Sequence, residues 1–91
     1  MRDLEFSERA IRDLKTFDAT DRTMIFKKLD YLAENYEALK TGKSIRELVN
    51  SPFGRAYRFT INRKIRAVFK EEEGRLVLMI LRVGLRKSIY E

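Results

Sequence analysis

The hydrophobic period of this 91-residue chain switches part-way along, and that switch limits the fold more than any motif does. Ile25, Leu29, Leu32, Tyr36 and Leu39 recur at intervals of 4, 3, 4 and 3, the apolar stripe of an amphipathic helix. After a connector from Lys43 to Gly54, which holds the only proline, the pattern becomes alternating. Tyr57, Phe59 and Ile61 then share one face of a strand, and Ile65, Ala67 and Phe69 one face of the next. Helices come first and strands after them, the order of an α+β domain.

The ends of the chain extend this frame. Residues 2–6 alternate polar and apolar, which predicts a short strand with Leu4 and Phe6 on one face. Ser7 is the expected N-cap of a first helix carrying Ala10, Ile11, Leu14 and Phe17. A break at Asp18-Ala19-Thr20 supplies a second N-cap in Thr20, and Gly42 is the expected residue just past the second helix. Matching the apolar faces of the two alternating strands sets Ile61 opposite Ile65, Phe59 opposite Ala67 and Tyr57 opposite Phe69. Thr60 then faces Arg66 and Arg58 faces Val68 on the other side, around a loop of Asn62, Arg63 and Lys64. Glu71 to Gly74 reads as a solvated turn, and Leu76–Val83, which lacks alternation, as a central strand covered on both faces. The expected architecture is a single domain over residues 1–91, β-α-α-β-β-β, an antiparallel sheet with an N-terminal helical hairpin packed on one face.

Composition removes most chemistries. No Cys and no His are present, which excludes disulfides, thiolate nucleophiles, imidazole bases and His-ligated zinc. Glycine-rich phosphate loops and calcium-loop spacings are absent too, so neither a metal nor a small-molecule cofactor is expected. The longest apolar run, Leu76 to Leu81, is far short of the roughly 20 residues that span a bilayer, so the expected setting is cytoplasmic, away from membranes. What remains is charge. Twenty Lys and Arg oppose fourteen Asp and Glu, and the whole +6 excess lies beyond residue 52. Arg58, Lys64, Arg66, Arg82, Arg86, Lys87 and Tyr90 form the candidate set, since guanidinium forks match phosphate oxygens. The same charges also suit a merely solvated basic surface.

From Tyr57 onward the chain resembles the RelE/ParE superfamily of toxins. The likeness rests on Tyr57-Arg58-Phe59, Ile65-Arg66-Ala67-Val68-Phe69, and Leu81-Arg82-Val83-Gly84-Leu85-Arg86-Lys87-Ser88-Ile89-Tyr90. It implies a toxin of a type II toxin–antitoxin pair, neutralised by a cognate antitoxin. The RelE branch is a ribosome-dependent endoribonuclease that cuts messenger RNA; the ParE branch instead poisons DNA gyrase without cleaving RNA. A third reading is an RNA-binding homologue with weakened cleavage. On the RelE reading the resemblance makes Arg66, Arg86, Lys87 and Tyr90 catalytic, and Arg58, Thr60, Arg63, Lys64 and Arg82 RNA-binding. Thr60 stands where the strongest RNase pattern has a second basic residue, and Leu85 where many relatives have His. Tyr31 and Tyr36, on the helix stripe, are candidates either for seating a partner helix or for ordinary core packing.

Overall fold

Ser7 ends the first strand and starts the first helix with one side chain. In the computed structural model, which describes residues 2–89 and only the backbone of Glu73, its Oγ accepts from the Ala10 amide at 3.0 Å and donates to the Leu81 carbonyl at 2.9 Å. The strand before it is β1 (Asp3–Phe6) and the helix after it α1 (Glu8–Lys15). The next cap is Asp18 rather than Thr20: its carboxylate takes the Asp21 amide at 2.8 Å and opens α2 (Ala19–Glu34) two residues early. The apolar stripe continues as expected, but the helix does not. Asn35 leaves helical geometry, with its side-chain amide and its backbone N–H both on the Tyr31 carbonyl, and a short α3 (Tyr36–Leu39) follows. Gly42 is not a left-handed cap, since the only glycine with positive φ is Gly54.

The remaining strands are β2 (Ile45–Glu47), β3 (Tyr57–Thr60), β4 (Ile65–Glu72) and β5 (Val77–Leu85), in the sheet order β1-β5-β4-β3-β2. The β3–β4 register is the expected one, with Tyr57 on Phe69, Phe59 on Ala67 and Thr60 on Arg66. The α+β class and the one-sided helical layer also match expectation, while three details differ. The connector contains the short edge strand β2, too brief for alternation to register. The β1–β5 pair is parallel, because β1 lies beside the last strand instead of its sequence neighbour, so the sheet is antiparallel only through its other pairs. Finally, β4 runs on through Glu72 and a 3₁₀ turn at Glu73–Arg75, so Leu76 is an exposed left-handed residue (φ 54°) and β5 starts at Val77.

Two apolar clusters result. The main core joins Ala10, Leu14, Ile25, Leu29 and Leu32 from the helices to Phe59, Ile65, Ala67, Phe69, Leu78 and Ile80 from the sheet. Tyr36 belongs to it, 1% exposed, whereas Tyr31 is 49% exposed. On the opposite face Ala56, Val68 and Ile89 bury one another, with Leu48, Phe53 and Leu81 around them. A bulge makes this possible: Val68 pairs with Arg82 and Phe69 with Ile80, so Leu81 is the extra residue and turns to the second face. The connector and the C-terminal tail therefore cover part of the sheet face that the helices leave open.

Candidate nucleic-acid interface

The hairpin between β3 and β4 is organised by Asn62. Its Oδ1 accepts from the amides of Lys64 and Ile65, each at 2.8 Å, which pins the loop in an Asx-type turn. Its main-chain oxygen accepts from the Arg66 guanidinium, which also reaches the Ile65 carbonyl at 3.2 Å. Arg66 is 8% exposed, so its charge lies sunk at the mouth of the hairpin. These carbonyl partners help fix its direction.

The tail comes to the same place. At the end of β5 the Arg86 amide donates to the Lys64 carbonyl at 2.7 Å, which ties the tail to the loop. The chain then turns back, with the Ser88 and Ile89 amides on the Leu85 carbonyl at 3.0 and 2.9 Å. Ile89 packs over Gly84, where an added Cβ would lie 3.6 Å from its Cγ1. Between loop and tail is a groove of about 850 Å³ lined by Thr60, Asn62, Arg63, Lys64, Arg66, Leu85, Arg86 and Lys87.

Six of the candidate residues, Thr60, Arg63, Lys64, Arg66, Arg86 and Lys87, are thus brought together. Arg58 is on the same sheet face but outside the groove, its Nε buried without a hydrogen-bond partner. Arg82 is directed elsewhere: its Nε and Nη2 donate to the Asp13 carboxylate at 2.8 and 3.4 Å, and its Nη1 to the Ile89 carbonyl at 3.2 Å. Tyr90 lies outside the described residues. One groove residue was missed from sequence, Asn62, although an asparagine at a hairpin loop is a legible signal. Arg46, directly opposite Arg58 in register, adds a cation to the sheet face outside the groove and is visible only once β2 is known.

A second polar cluster lies far from the groove, on the helical side. The Glu71 carboxylate, expected in a solvated turn, accepts from the Tyr36 hydroxyl at 2.8 Å and has Arg2 and Lys40 at 3.1 and 3.2 Å. Burial opposes its ionisation, yet the Tyr36 hydrogen bond and the two cations prevail and hold its pKa below the usual carboxylate range. Burial, and then the bond to Glu71, push the Tyr36 phenol above its ordinary value. Arg2 and Lys40 also lie over the Tyr36 ring, 4.8 and 5.4 Å from its centroid. These shifts mark a lock between the N-terminus, α3 and β4. Among the described residues no group of three or more His, Cys, Asp or Glu is placed to hold a metal, and no helix is long and apolar enough to cross a membrane.

No family model matches the sequence, and no curated protein matches it. Solved structures do match in shape. The archaeal RelE–RelB complex from Pyrococcus horikoshii OT3 contains a chain with TM-score 0.69 at 16% identity, covering 96% of this chain and 97% of that one. A chain of the toxin–antitoxin complex RelBE2 from Mycobacterium tuberculosis gives 0.71 at 17%, covering 93% and 98%. The E. coli DinJ–YafQ complex gives 0.66 at 19%, covering 100% of both chains. At these identities the likeness shows the fold: this chain has the RelE-like α+β fold.

Proposed function

We propose that this chain is a RelE-type toxin of a type II toxin–antitoxin pair, and that its basic groove binds and cleaves messenger RNA on the ribosome. The observation that carries this reading is the convergence of Arg66, from the sheet, and Arg86, from the tail, on one groove. The resemblance from Tyr57 onward assigns those same two positions to catalysis. Cleavage would proceed by attack of the 2′-oxygen on the adjacent phosphorus, with loss of the 5′-oxygen, leaving a 2′,3′-cyclic phosphate and a 5′-hydroxyl. Charge builds up on the phosphoryl oxygens in that step, and a guanidinium held by carbonyls is already oriented to receive it. Arg86 and Lys87 would act at the scissile bond, with Lys87 or Tyr90 handling protons.

The missing imidazole sets the character of such an enzyme. Arginine stays protonated and is no base, so rate must come from electrostatic stabilisation and substrate alignment. An enzyme of that kind is slow on free RNA and needs the ribosome to align the 2′-oxygen. An antitoxin is the second proposed partner, in keeping with the RelB and DinJ complexes in which the structural neighbours were solved.

The test is primer extension on messenger RNA bound to ribosomes, with and without the purified protein. Breaks at codon positions that disappear in Arg66→Ala and Arg86→Ala variants are expected. Intact messages on ribosomes, together with gyrase-dependent DNA breaks, would transfer the assignment to the ParE type.

A further inference from the structure

Ile89 is gripped at three points. Its side chain is 1% exposed between Val68, Ala56 and Gly84, its amide donates to the Leu85 carbonyl, and its carbonyl accepts from Arg82. The last of these links the tail, through Arg82, to a helix. Through Nε and Nη2 the same guanidinium is bound to Asp13 on α1, and the carboxylate oxygen that takes Nε, Oδ2, also accepts the Val83 amide at 3.0 Å. Arg9 approaches Asp13 at 3.5 Å from the adjacent turn of α1.

The geometry explains why a carboxylate is needed there. β1 covers β5 only as far as Ile80, so beyond that point the edge of β5 has no strand beside it. Ser7 takes up the Leu81 carbonyl and Asp13 the Val83 amide, so α1 completes the edge with side chains. Arg82, between those two residues, is thereby fixed on one side, with its remaining nitrogen directed at the tail. Arg82 and Asp13 are each 12% exposed in their side chains, so the pair is largely shielded from water and salt.

We infer that Arg82 is a positioning residue: oriented by Asp13, it holds the Ile89 carbonyl and so fixes the arm that carries Arg86 and Lys87 beside the groove. This rests on the RNase reading of the groove for its effect on rate, though not for its effect on the tail. The role demands a fork, because one planar group must satisfy an acid and a carbonyl in different directions. A lysine keeps the charge and loses the bridge. It also predicts a sign that electrostatics alone would reverse. Neutralising Asp13 makes the protein more positive, which favours RNA binding, yet the bridge account requires that cleavage fall.

The experiment combines single-turnover cleavage of ribosome-bound messenger RNA with amide hydrogen exchange, for Arg82→Gln, Arg82→Lys, Asp13→Asn and the double variant Asp13→Asn/Arg82→Gln. The amides of β4 serve as internal reference for an intact sheet. Each variant is expected to speed exchange at Ile89 by about 10-fold and to cut the cleavage rate by about 10- to 100-fold without weakening RNA binding. The double variant is expected to be no worse than the singles. Arg86→Ala provides the contrast, losing cleavage while Ile89 stays protected. Wild-type exchange and cleavage in Arg82→Lys would overturn the inference, as would lost cleavage with unchanged exchange at Ile89. If the wild-type protein cleaves nothing, the functional reading fails by itself. Exchange at Ile89 then decides the clamp alone, faster in the variants if it exists and unchanged if it does not.

Discussion

Replacing Glu71 by Gln separates the stability of this protein from its groove. The substitution keeps an oxygen for the Tyr36 hydroxyl, 2.8 Å away, and removes the negative charge that faces Arg2 at 3.1 Å and Lys40 at 3.2 Å. Lys40 is 41% exposed, so its share is that of a surface pair, about 0.5 kcal/mol. Arg2 is only 12% exposed and retains Glu37 at 2.8 Å, so it is weakened rather than orphaned, at about 1.5 kcal/mol. The total is about 2 kcal/mol, which in a domain of this size lowers Tm by about 10 °C. Because the folded pKa of Glu71 lies below its unfolded value of about 4.3, its stabilisation is complete above that unfolded value and is lost as pH falls through the folded one. Thermal unfolding followed by circular dichroism at pH 7, 5 and 3 should therefore show a full gap between wild type and variant at pH 7 and 5. The gap should narrow as pH falls below that unfolded value and the folded carboxylate takes up its proton. A gap that is no narrower at pH 3, or one below about 0.5 kcal/mol at pH 7, would refute the assignment of that stability to Glu71's charge.

Other perturbations test other parts of the molecule. Ser7→Ala removes both a helix cap and the donor to Leu81, and should cost about 2 kcal/mol in urea unfolding, more than a cap alone. Arg46→Ala relieves a like-charge pair across β2 and β3, so the free protein should gain about 0.5 kcal/mol at low salt while losing affinity for RNA. Unfolding with and without added salt, alongside a binding titration, would show the two opposite signs. Leu85→His adds an imidazole to the groove at a position 51% exposed, and should speed ribosome-dependent cleavage about 10-fold at neutral pH with little change in Tm.

What could be read from sequence depended on how many residues carried each signal. The β3–β4 register was legible because three apolar pairs on one face and two polar positions on the other admit a single alignment. β2 was not, since three residues of strand hold too little alternation to stand out from a loop. The helix break at Asn35 was hidden because the apolar stripe runs unbroken across it, and only a side-chain bond to Tyr31 marks the interruption. In the groove, Arg66 and Arg86 were visible as residue types in a family-like pattern. Arg82 looked the same as its neighbours. Its distinct direction arises from Asp13, a residue on another element whose relation to it no local spacing encodes. For the same reason Glu71 read as one acid in a run, though its carboxylate meets the aromatic core through Tyr36.

The place of β5 in the sheet has a consequence for the order of folding. β5, the last of these five strands in sequence, lies between β1 and β4, so an interior strand of the sheet is synthesised after its other four. The meander β2-β3-β4 can pair as it emerges, but β1 must wait for a partner, as Ser7 waits for Leu81 across 74 residues. Such non-local closure slows folding relative to a helical domain of equal length. The groove shares that dependence, because one wall is the hairpin loop and the other is the tail beyond β5. A nascent copy therefore exposes its hairpin cations before the wall bearing Arg86 and Lys87 exists, and the groove forms only once both walls have emerged.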